Sequence, residues 1–172
     1  APVYVNGKIW VVVNTAVTQP DTTMTDGVAW FEMQTSGTAS SFTASLVGQG
    51  VISGPQDTAL MYPAIAMNAA GTGGIGVTIT GATRFPTTAT IAMPEFSSPT
   101  IKLSGVGALP DDGFTAYPQE GGNGVGRWGD YGAADVDESG NFWFANEYIP
   151  NTNQHPRSLL ANWGTYVTHV TP

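Results

Sequence analysis

The stretch Tyr131–Asn146, "YGAADVDESGNFWFAN", has an earlier counterpart in Tyr62–Ile79, "YPAIAMNAAGTGGIGVTI". Each opens with Tyr and reaches an Asx residue six places on, Asn68 or Asp137. A glycine follows three residues later, Gly71 or Gly140, and then an apolar run. A shortened third copy stands at the front of the chain, where Gly7 in "VYVNGKIWVVVN" precedes Ile9 and Trp10 as Gly140 precedes Phe142 and Trp143. This is the pattern of a β-hairpin: a strand of small residues ends, Asn or Asp opens the turn, glycine supplies a positive φ, and an apolar strand returns. It predicts that Asn68 and Asp137 accept hydrogen bonds from turn amides, and that Trp10 and Trp143 pack between neighbouring units. On this reading the carboxylate tightens a turn and performs no chemistry.

The rest of the chain agrees with a β protein. No window carries apolar residues at helical spacing with caps at both ends. Strand-like runs recur between turn residues: "KIWVVVNTAV", "GVAWFEMQT", "FTASLVGQGVI", "IGVTITGA", "TATIAMPEF", "TIKLSGVG", "NFWFANEYI" and "TYVTHVT". Short strands at this rhythm predict an antiparallel all-β fold. The three hairpins recur at intervals of between sixty and seventy residues, the length of one four-stranded propeller blade with generous loops. The chain reads as a single all-β segment with repeat units near 1–58, 59–127 and 128–172.

Composition narrows the function classes. Of 172 residues 13 are acidic and only 5 basic, a net charge of −8. Such a chain repels phosphate backbones and offers no basic patch, so nucleic acid and membrane surfaces are not expected as partners. No apolar run is long enough for a spanning helix. There is no cysteine, which excludes disulfides and thiolate sites. A surface rich in Thr, Ser, Gly and Asn and poor in Lys suggests an exported protein.

The segment "ADVDESGNFWF" (Ala134–Phe144) resembles the Asp-box, or BNR repeat, of sialidase-like β-propellers. That box runs Ser/Thr-x-Asp, then a nearby Gly, then x-x-Trp. Asp137, Gly140 and Trp143 match, while Asp135 stands where Ser or Thr is usual. The front copy keeps Asn6-Gly7 and Trp10. The middle copy keeps Asn68 and Gly71, with Ile75 after an extended turn. The longer string "GRWGDYGAADVDESGNFWFANEYIP" with "LANWGTYV" is similar to the C-terminal part of bacterial secreted propeller proteins. The resemblance spans the chain and implies about three propeller blades of antiparallel four-stranded sheets, completed by further blades of the parent protein or by other chains. It also implies a box that is structural and lies away from the binding face. The Arg-Ile-Pro motif of true sialidases is absent, and no Tyr/Glu nucleophile pair can be placed.

Several residues remain as site candidates. Arg127, Trp128, Asp130 and Tyr131 precede the box, and an Arg flanked by aromatics suits carboxylate or sugar recognition. The plainer reading is an Arg127–Asp130 or Arg127–Glu147 ion pair with Trp128 in the core. Arg84, beside Phe85 and Pro86, occupies a comparable loop one repeat earlier. Asp111, Asp112 and Glu120 lie in a long Gly- and Pro-rich loop, either solvated or functional. Glycoside hydrolysis needs two carboxylates across a cleft, which could be drawn from Asp111, Asp112, Asp130 and Glu147. "DVDESG" (Asp135–Gly140) superficially suggests a calcium loop, but its twelfth position is Asn146, with Glu147 one place late. His155 and His169 stand alone in sequence, so no zinc site, and no other metal or cofactor, is expected. The favoured function is a secreted, non-catalytic binding or structural segment contacting glycans through Arg127, Trp128 and Tyr131. The alternatives are part of a glycoside hydrolase or polysaccharide lyase, and a self-assembling structural subunit.

Overall fold

A computed structural model of the chain describes residues 1–38, 40–93, 99–111, 129–151 and 162–172. Every regular element among them is a strand. The first sheet holds β1 (Val3–Val5), β2 (Lys8–Thr18), β3 (Met24–Thr38) and β4 (Ser41–Ile52). The second holds β5 (Thr58–Met67), β6 (Gly73–Gly81), β7 (Arg84–Met93) and β8 (Ile101–Leu103). The third holds β9 (Ala133–Val136), β10 (Phe142–Tyr148) and β11 (Gly164–Val170). Each is an antiparallel meander in chain order, as short connections between neighbouring strands favour. The expected four-stranded pattern therefore holds for two sheets, and the third has three strands among the described residues.

The repeat glycines occupy one place in this scheme. Gly7, Gly71 and Gly140 each lie in the turn joining the first strand of a sheet to the second, with φ of 75°, 83° and 82°. At the front copy Asn6 is also left-handed, at 51°, so Asn6-Gly7 forms the two-residue hairpin turn whose twist matches its strands.

Side-chain direction alternates along a strand, so each second strand sorts its residues to two faces. Three places after the turn glycine, Trp10 faces the second sheet and Gly74 faces the third. Two and four places after it, Phe142 and Phe144 face back onto the second sheet, as Ile75 faces back onto the first. The sheets thus stack in chain order with the same face forward, and the second is the middle layer.

The two interfaces are filled differently. Between the first and second sheets Trp10, Val28, Trp30 and Ile52 meet Leu60, Ile65, Ile75, Val77, Ile79 and Ile91, and the two indoles stack with centroids 6.5 Å apart. Between the second and third sheets β6 offers glycines and the third sheet offers rings. A Cβ on Gly74 would lie 3.0 Å from Phe144 Cζ, and one on Gly76 2.9 Å from Phe144 Cβ. Small opposite large lets these sheets interdigitate at interior density.

Candidate functional site

The acidic-aromatic cluster is a hairpin tip. Asp137 Oδ1 accepts the amides of Ser139 and Asn141, both at 2.9 Å. Its Oδ2 accepts Asn141 Nδ2 at 3.0 Å and Trp143 Nε1 at 3.2 Å. Asn68 repeats the first pattern, its Oδ1 accepting the amides of Ala70 and Thr72, both at 3.1 Å, and the Thr72 hydroxyl at 2.9 Å. The backbone bonds also match: Gly71 N–H donates to the Asn68 carbonyl at 3.0 Å and Gly140 N–H to the Asp137 carbonyl at 2.9 Å. The tips line up in a row. Asn6 Nδ2 donates to the Ala69 carbonyl, and Asn68 Nδ2 to the Gly140 carbonyl.

Hydrogen bonds to the charged form lower a carboxyl pKa. Asp137 is held at about 2 instead of 3.8, chiefly by the Asn141 side chain, then by the Asn141 amide, with smaller help from Trp143 and Ser139. Both oxygens already serve the turn. Among the described residues no three His, Asp or Glu side chains converge as a metal ion would require.

Trp143 corrects the expectation that both repeat tryptophans pack between units. Trp10 is 8% exposed, whereas Trp143 is 42% exposed. It points to the face where a following sheet would lie, and its ring instead stacks on His169 with centroids 4.4 Å apart. His169 is therefore not isolated. It sits directly across from Trp143 in the β10–β11 register, with Nε2 4.0 Å from Asp137 Oδ2. Sequence distance concealed a contact that strand pairing creates.

A second cluster forms at the end of the sheets away from the tips. The β5–β6 register shifts between Met61 and Ala64, and within this bulge Tyr62 adopts φ of 53°. A non-glycine residue there costs on the order of 1–3 kcal/mol and persists only when its surroundings hold it. Asn14 of the first sheet accepts the Tyr62 amide at 3.1 Å and donates to the Leu60 carbonyl at 2.9 Å. Asn146 of the third sheet donates to the Tyr62 carbonyl at 3.2 Å. One asparagine from each flanking sheet thus grips the bulge.

Beside it lie Asp130, Tyr131 and Glu147. Tyr131, which opens the later repeat as Tyr62 opens the earlier one, is 82% exposed. Glu147 is half-buried, and the Thr78 hydroxyl donates to its carbonyl at 2.8 Å, fixing its backbone to the middle sheet. Burial first, and the nearby charge of Asp130 second, raise the Glu147 pKa above its ordinary value. The structure therefore brings Asp130 and Glu147 together.

The other candidates lie elsewhere. Asp111 follows Pro110, whose carbonyl accepts Asn162 Nδ2 at 2.8 Å, on the segment that leaves the far edge strand β8. Arg84 opens β7, and its Nε is buried without a hydrogen-bond partner among the described residues. Arg127, Trp128, Asp112, Glu120 and His155 lie outside the described residues. Sequence reading missed Asn14, Tyr62 and Asn146 as a unit. The available signal was the shared Tyr of the two repeats, six residues before each Asx.

No family model, curated protein or solved structure matches the chain.

Proposed function

We propose that the chain is a segment of a sialidase-like β-propeller, about three blades long, that acts outside the cell as a structural and non-catalytic binding module for glycans. The observation carrying this reading is the use of Asp137. Both its oxygens are taken by its own hairpin, in the way Asn68 serves the hairpin before it. An amide that replaces a carboxylate in a repeat marks a role in turn geometry, because the amide cannot act as acid, base or nucleophile. Glycan contact falls to the opposite end, where the exposed Tyr131 ring offers an amphipathic stacking surface beside two carboxylates suited to sugar hydroxyls. Arg127 and Trp128 precede it in sequence.

A second reading has its own support. Burial and the neighbouring charge of Asp130 raise the Glu147 pKa, and a carboxyl held toward its protonated form beside a second carboxyl suits acid catalysis on a glycosidic bond. One experiment separates the two. The protein is applied to a glycan array and to a panel of acidic and neutral polysaccharides, together with Tyr131→Ala and Glu147→Gln. Glycan binding that Tyr131→Ala weakens by about tenfold or more, the size of a lost stacking contact, with no turnover by any form, is the expected result. Turnover that Glu147→Gln abolishes would replace this reading with the hydrolase or lyase.

A further inference from the structure

We propose that the outer face of the first sheet seats the outer face of the third sheet of a second copy of this chain, head to tail, so that two copies close a ring of six sheets. The proposal rests on the stacked-repeat reading above and concerns the two faces that the stack leaves open.

The second strands of the three sheets compare the same places in three settings. Two, four and six residues after the turn glycine, β6 carries Gly73, Ile75 and Val77, and β10 carries Phe142, Phe144 and Asn146. All six are buried, because a preceding sheet covers each set. The same places in β2 are Ile9, Val11 and Val13, and these are partly open, Val13 being 44% exposed. Strand pairing puts Phe31 and Met33 on that face, across from Val11 and Ile9, and Val51 across from Ala29. None of these residues is charged.

The forward face gives the converse. Trp10 is covered by the second sheet, while Trp143 at the same place in the third sheet is 42% exposed, with no sheet in front of it among the described residues. Ala145 and Val167 pair beside it, Val167 being 57% exposed, with Asp135 and His169 on either side of Trp143. One chain therefore carries both halves of the contact made between its first and second sheets, backward-facing aliphatics and a forward-facing tryptophan. Complementary halves on different surfaces of one chain form a head-to-tail contact that closes if the rotation allows. Six sheets lie within the four to eight that close such a ring. The third junction differs from the first two at the tips. Asp137 holds only acceptor oxygens, spent within its own hairpin, so it cannot hand a side-chain amide forward as Asn6 and Asn68 do.

The test is sedimentation velocity on the full chain over a wide concentration range, with Val13→Glu and Val167→Glu. Both positions are exposed in the single chain, so both variants keep the fold, which circular dichroism checks. The wild type is expected at twice 17.9 kDa. Each variant alone is expected to associate at least about tenfold more weakly, since a carboxylate would be buried without a partner. Mixing the two variants restores part of the association, because one of the two junctions is then unaltered. Added salt tightens the wild-type pair, since each copy carries −8. A folded wild type that stays single at all concentrations overturns the proposal and leaves the glycan reading standing. Loss of association in Val13→Glu alone would replace it with a contact between two first sheets, and open-ended polymers would overturn the closed pair.

Discussion

Phe144→Ala is expected to lower the unfolding free energy by about 3–5 kcal/mol, the range for emptying a buried aromatic site. Phe144 is 2% exposed and fills the space left by glycines 74 and 76 of the middle sheet. Those glycines have no side chain to move into the cavity, and the strands beneath are tied into a four-stranded ladder. Little relaxation is available, so the upper part of the range applies. Trp143→Ala, one residue away on the open face, serves as the control and should cost far less. Urea unfolding of the two variants makes the comparison. Equal effects would mean that β10 is not sandwiched by the face assigned here.

Gly76→Val should be the next most damaging change, at about 1–3 kcal/mol or more from overpacking. Its first added carbon would fall 2.6 Å from Asn146 Oδ1 and 2.9 Å from Phe144 Cβ. Phe144 Cβ moves only with its backbone, so the third sheet must shift. The shift also strains the Asn146 bond to the Tyr62 carbonyl, the outer half of the grip on the left-handed bulge. The variant is therefore expected to lose stability and to expose the interface, read as a lower urea midpoint together with faster hydrogen exchange at Tyr62–Ala66. Gly71→Ala is a useful contrast: it changes a tip position with positive φ where an added Cβ meets nothing within 4 Å.

Much of this architecture could be read from local chemistry. Runs of β-branched and aromatic residues between turn signals marked β2, β3, β4, β6 and β10, and in β10 the alternation also coincides with the buried face. The Asx–Gly spacing marked two tips down to the amides that Asn68 and Asp137 accept, because an Asx turn is decided within five residues. The first strand of each sheet was harder to see. β5 is rich in Ala and Met and broken by Pro63, and β9 is the short run Ala-Ala-Asp-Val, so both signal strand only weakly and depend on the neighbouring sheets that pack against them. β1 is three residues long and is held by its pairing to β2.

The candidate site was legible only in part. Asp130 and Glu147 were named separately, and their proximity depends on β9 entering next to β10, a pairing that sequence spacing does not display. The Tyr62 bulge was not legible, because its left-handed backbone is imposed by asparagines from two other sheets. The placement of Trp143 was misjudged for a related reason. The motif fixes which way its ring points, while burial depends on whether another sheet stands there.

The account depends on the acidic residue of the box being a turn-former. Melting temperatures of the wild type, Asp137→Asn and Asp137→Ala, followed from neutral pH down to about pH 2, test this directly. Asn keeps the two backbone amides through Oδ1, as Asn68 does, and gives up the Asn141 and Trp143 side chains; Ala gives up all four donors. The folded pKa lies below the ordinary 3.8, so the carboxylate's contribution is complete above that value and fades as pH falls through about 2. The predicted order at neutral pH is wild type, then Asn, then Ala, with the wild-type advantage over Asn shrinking across that acid window. Three identical melting curves, flat through the same window, would contradict the account and leave the role of Asp137 in the turn unsupported.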